Sequence, residues 1–73
     1  MATPEQCVEA SRRAQQLRDD EAMLAEGRRL QAEAVNQGDF LRADELGRIN
    51  EQHEEQIRQT RDQLRRFLED IGL

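Results

Sequence analysis

The sequence predicts an all-α fold, two long antiparallel helices joined by one tight turn, on three observations. Ala, Leu, Arg, Gln and Glu dominate the 73 residues, and all are good helix formers. Strand-forming residues are scarce: Val and Ile total five, Thr two, and Tyr and Trp are absent. Between Pro4 and Asp70 the only cluster of helix-interrupting residues is Asn36-Gln37-Gly38-Asp39. The expectation is a single domain over residues 1–73, with a helix over 4–36, a turn over 37–39 and a helix over 40–71.

Each boundary has a chemical reason. Thr3 can cap the first helix, Pro4 fits the first helical position without losing a needed N–H, and Gln6 completes a capping box. Gly27 is isolated and tolerable inside the helix at about 1 kcal/mol relative to Ala. Gly38 suits the left-handed residue that ends a helix, and Asp39 suits the N-cap of the next. Gly72 is the next stop signal. The capped start at Thr3 and the stop at Gly72 read as a complete small protein.

A heptad seam runs along the second helix. Ala43, Leu46, Asn50, His53, Ile57, Thr60, Leu64, Phe67 and Ile71 alternate three- and four-residue spacings, flanked by Phe40, Ile49 and Leu68. On the first helix Ala10, Ala14, Leu17 and Leu24 follow the same repeat, while Glu21, Arg28 and Gln31 interrupt it. Beyond Leu24 the stripe drifts to Gly27, Leu30, Ala34 and Val35, with Met23 beside it. Folding at Gly38 sets small Ala10 and Ala14 against Phe67 and Leu64, Leu17 against Thr60, and Gly27 against Asn50.

Two helices can hide only the stripe between them, and ordering ~70 residues costs on the order of 100 kcal/mol in conformational entropy. Leu30, Val35, Leu41, Ile49 and Leu68 fall outside or beside the seam and are candidate contacts to a partner. The expected outcome is homodimerisation into a four-helix bundle or coiled coil, or docking onto another protein's helices.

Chemistry-bearing side chains are sparse. One Cys excludes an internal disulfide, and one His with one Cys cannot close a zinc site. His53, beside Asn50 and next to Glu54 and Glu55, reads as part of a polar layer that sets register or oligomer state. A pH-sensitive interface is its alternative. Cys7 reads as a small apolar residue closing the core opposite Ile71, although a helix N-terminus can also activate a thiol. A hairpin offers no concave setting for paired carboxylates, so the chain is read as non-catalytic, with no cofactor, metal or small-molecule substrate. No apolar run approaches a membrane span and no secretory signal precedes the first helix, so the expected location is cytoplasmic.

Charge is unevenly placed. The net charge is −5 and every basic residue is Arg. Residues 8–20 and 56–68, at the open end, hold seven Arg (Arg12, Arg13, Arg18, Arg58, Arg61, Arg65 and Arg66) against four acids, a net of +3. Residues 21–55, the turn half, hold four Arg against nine acids, a net of −5. Exchangeable surface pairs such as Asp62 with Arg66 account for such a pattern, and so does an Arg end that meets an acidic surface or a phosphate backbone.

The segment Gly38-Asp39-Phe40-x-x-Ala43-x-x-Leu46 locally resembles the start of the second helix in UVR-type hairpins, which mediate protein–protein contacts. Gly47-Arg48 departs from the Arg-Asp that follows in that motif. In architecture the chain is also similar to the helical-hairpin chaperones of type III secretion and to the Rop-type hairpin dimers that bind RNA. The reading is therefore a protein-interaction module: a small adaptor, chaperone or regulator working through coiled-coil contacts. The alternatives are a Rop-like nucleic-acid-binding dimer that uses the open-end Arg residues, and a purely structural coiled-coil component. Against nucleic acid stand the acidic total and the lack of aromatics other than Phe40 and Phe67.

Overall fold

A computed structural model describes all 73 residues as two helices and no strand, packed as an antiparallel hairpin. α1 spans Pro4–Asn36 and α2 spans Phe40–Asp70. The rod measures 54 × 15 × 12 Å, the length of one unbroken helix of about 33 residues at 1.5 Å each.

Capping fixes both ends of both helices. The Gln6 backbone N–H donates to Thr3 Oγ1 at 3.1 Å and the Thr3 N–H donates to Gln6 Oε1 at 2.9 Å, a reciprocal capping box. Gly38 takes φ 76°, its N–H donates to the Val35 carbonyl, and the Asp39 N–H donates to the Ala34 carbonyl. These two bonds form a Schellman closure. Asp39 then caps α2 by accepting from the Arg42 N–H at 3.2 Å. The same closure recurs at the far end, with Gly72 at φ 83° and the Leu73 N–H on the Leu68 carbonyl. Ile71 is therefore the C-cap of α2, and the helix ends one residue before the expected position 71. The chain ends meet here: a Cβ on Gly72 would lie 3.8 Å from the Met1 backbone nitrogen.

The core is one line of side chains. Ala43, Asn50, Ile57, Leu64 and Ile71 are buried at seven-residue intervals on α2, and Ala10, Leu17 and Leu24 at the same interval on α1. Leu17, Leu24, Ile57 and Leu64 form its centre, with Ala14 and Leu68 packed against them. Leu17 shares this cluster with Leu64, one turn beyond the Thr60 expected opposite it, because a core side chain packs between levels of the opposite helix. No large side chain is fully buried, as a seam only two helices wide requires.

Ala at position 38 is strained at φ 76° although its Cβ has open space, so Gly38→Ala should cost about 1 kcal/mol and lower the thermal midpoint by about 4–8 °C. Gly38→Asn should cost less than half as much, since Asn tolerates the left-handed region; equal losses in a thermal melt followed by circular dichroism would refute this account.

A candidate interaction face along the helical seam

The three residues that interrupt the apolar stripe of α1 make every side-chain hydrogen bond between the helices. Arg61 Nη2 donates to Glu21 Oε1 at 3.1 Å, Arg28 Nη2 to Glu54 Oε2 at 2.9 Å, and Asn50 Nδ2 to Gln31 Oε1 at 3.1 Å. The first two are exposed ion pairs, worth ~0–1 kcal/mol each. The third is different in kind.

Asn50 is 6% exposed and is the only buried polar residue. Its partner is Gln31 rather than the neighbouring His53, so the polar layer in the seam consists of Asn50 and Gln31. Two glycines make the space for it. A Cβ on Gly27 would overlap the Asn50 amide, and one on Gly47 would lie 2.8 Å from Gln31 Nε2. Gly27 opposite Asn50 follows from the fold-back, and Gly47, which departs from the UVR pattern, has its reason in Gln31. No buried polar side-chain atom is left without a partner.

The two edges of the seam carry different chemistry. Along one, Glu21, Arg28, Glu54, Arg58 and Arg61 line a shallow groove over Leu24 and Ile57, closed by the two cross-helix ion pairs. Along the other, no ion pair joins the helices. Arg13 lies over the Phe67 ring at 4.3 Å, and further along Asp20, Met23, His53 and Gln56 surround a depression above Ile57. Leu30 borders the next depression toward the turn. Leu46 and Ile49 precede His53 by seven and four residues and so continue the same edge on α2. Met23 is 62% and Ile49 49% exposed, while Leu30, Leu46, His53 and Phe67 are half-buried.

The remaining candidates divide accordingly. Val35 and Leu41 are exposed beside the turn together with Phe40, whereas Leu68 is half-buried and packs against the core. Cys7 is exposed and does not close the core; Ala10 and Ile71 do that. Ala34, at 2% the least accessible residue, belongs to the seam although its apolar neighbours Leu30 and Val35 suggest a drifting stripe. The signal for it is its seven-residue spacing from Gly27, which marks one continuous line of small residues. His53 makes no side-chain hydrogen bond, and no group of His, Cys, Asp or Glu could hold a metal ion.

Most of the open-end arginines are already engaged. Arg12 and Arg13 pair with Glu9, Arg58 with Glu55, Arg61 with Glu21 and Arg65 with Asp62, leaving Arg18 and Arg66 outside any ion pair. Asp62 therefore pairs with Arg65, one residue before the expected Arg66, at 2.9 Å. The hydrogen bonds from Arg12 and Arg13 hold the Glu9 carboxyl down at about 2, and Arg29 likewise lowers Glu26. Neither helix is long and apolar enough to cross a membrane.

No protein-family model matches the chain, and neither does any curated protein or solved structure.

Two outcomes test this geometry. Gly27→Ala should destabilise by roughly 1 kcal/mol despite the better helix propensity of Ala, and adding Asn50→Ala should recover the loss; a stabilising Gly27→Ala in chemical denaturation would contradict the polar layer. Because the folded Glu9 carboxyl sits below its ordinary 4.5, its stabilising share is present above that pH and is lost as pH falls toward about 2. The thermal midpoint of Glu9→Gln should accordingly change less between those two pH values than that of the parent chain, and identical profiles would argue against the pair.

Proposed function

We propose that the chain is a non-catalytic helical-hairpin interaction module, acting as a small adaptor, chaperone or regulator, and that it binds a protein helix along the seam edge of Met23, Leu30, Leu46 and Ile49. The observation that carries this reading is the asymmetry of the seam. One edge is bridged by Glu21–Arg61 and Arg28–Glu54, while the other leaves apolar side chains over the core with no bond across them. A further amphipathic helix laid on that edge would complete three- or four-helix packing, the usual way in which such a stripe is hidden. Helix placed on helix needs no cavity, and the shallow depressions along the rod suit side-chain knobs rather than a small molecule.

The Arg-rich end supports nucleic-acid binding less well. Five of its seven arginines are held by Glu or Asp of the same chain, and releasing them for phosphates breaks those pairs. Their placement suits a secondary electrostatic contact at the rim of a protein interface, where charge sets orientation and encounter rate more than affinity.

The discriminating experiment compares two double variants as bait in native extract and against labelled RNA and DNA. Met23→Glu/Ile49→Glu should lose the bound proteins, while Arg58→Ala/Arg65→Ala should retain them, also at about 0.5 M salt where exposed charges are screened. Nucleic-acid binding that falls steeply with salt and disappears in the Arg variant would replace this reading with the Rop-like one.

A further inference from the structure

We propose that the occupant of the Met23–Ile49 edge is a second copy of this chain, laid antiparallel so that the turn half of each hairpin lies along the open half of the other. It rests on the interaction-module reading and names the partner. Three observations lead there.

The first is surface. The hairpin exposes 5604 Å², whereas the scaling for compact monomers gives ~4,700 Å² for its 8.5 kDa. The excess, roughly 900 Å², matches the ~800 Å² that each partner contributes to a standard interface. Shape agrees: the radius of gyration is 16.4 Å against ~11 Å for a compact chain of this length. Doubling the rod across its thin dimension gives a four-helix bundle of the same length.

The second is charge. The turn half, residues 21–55, carries −5, while the open half is neutral overall and holds a +3 zone over residues 8–20 and 56–68. A parallel pair sets the two −5 halves together, and an antiparallel pair sets each of them along the other copy's Arg-rich zone.

The third is the placement of Met23. Gly27 lies opposite Asn50, and Met23 shares one depression with His53, so these two are level on the edge. Met23 is three residues from Asp20, the midpoint of α1, or about 4.5 Å along the rod at 1.5 Å per residue. A two-fold axis crossing the edge at the middle of the rod therefore brings each Met23 to within about 9 Å of its mate along the rod, the self-pairing an isologous interface needs.

The test combines mass with cross-linking of single cysteines. Sedimentation equilibrium at ~1–100 µM should give twice the 8.5 kDa chain mass, with Met23→Glu/Ile49→Glu weakening the dimer at least about 100-fold. Because that variant can also unfold a hairpin that depends on its mate, orientation is read on an uncharged surface. In a Cys7→Ser background, Met23→Cys should cross-link efficiently with a short bismaleimide. The parent chain, whose exposed Cys7 residues would lie at opposite ends of the 54 Å rod, should not. Cross-linking through Cys7 would overturn the antiparallel arrangement. A monomer at ~100 µM would overturn self-pairing altogether. If that monomer still held host proteins through Met23 and Ile49, the interaction-module reading would survive the loss; if it held none, both would fall.

Discussion

The Asn50–Gln31 hydrogen bond, seated in the space left by two glycines, is the constraint to which the rest of the hairpin conforms. An apolar seam of Ala and Leu tolerates sliding by a heptad, because one leucine layer packs much like the next. A buried amide does not. Displaced by seven residues, Asn50 would meet Met23 or Leu24 rather than Gln31 and leave its donors unpaired, at a cost of ~1–3 kcal/mol. Gly27 and Gly47 raise that cost by fitting the pair only where it now stands. The turn at Gly38 and the polar layer thus define the same register by independent means, one by backbone geometry and one by hydrogen bonding.

From this register the division of labour between the seam edges follows. With Asn50 opposite Gln31, the positions on one side of the core line are Glu21, Arg28, Glu54 and Arg61, which join across it. The positions on the other side are Met23, Leu30, Ile49 and His53, which do not. The hairpin therefore spends its polar cross-links on one edge and leaves the other for packing. Its net charge of −5 combines a +3 zone in the open half, three further acids at the open tip and a −5 turn half, so the rod has an electrical direction as well as a greasy edge.

Much of this was legible in the residues because it depends on local rules. Thr3-Pro4-x-Gln6 and Gly38-Asp39 specify caps whose geometry is set within a few residues, and the helices begin and end within one residue of what those signals require. The seven-residue spacing of α2 likewise states its own buried face. What escaped was relational. Gln31 looks like a break in a stripe until its partner is known, and Ala34 looks like drift until Gly27 is seen to share its line. Cys7 was placed by its distance from the turn and Leu68 by its offset from the heptad line, whereas the packing of the two helices puts Cys7 in solvent and Leu68 against the core. His53 shares a spacing with Asn50 but lies one edge further round, where no side chain bonds to it.

Both chain ends emerge side by side at one tip, with Met1 near Gly72 and the turn about 50 Å away. Tension applied between the ends therefore opens the rod like a zipper, loading Ala10 and Ile71 first, then Leu17 and Leu64, then Leu24 and Ile57. Each layer yields singly, so the apolar half resists weakly. The amide pair and its two glycines stand behind those layers, with only Ala34 and Ala43 between them and the turn. Relaxation from any partly opened state then starts from a segment whose register is already set, and the arms reclose in the same alignment.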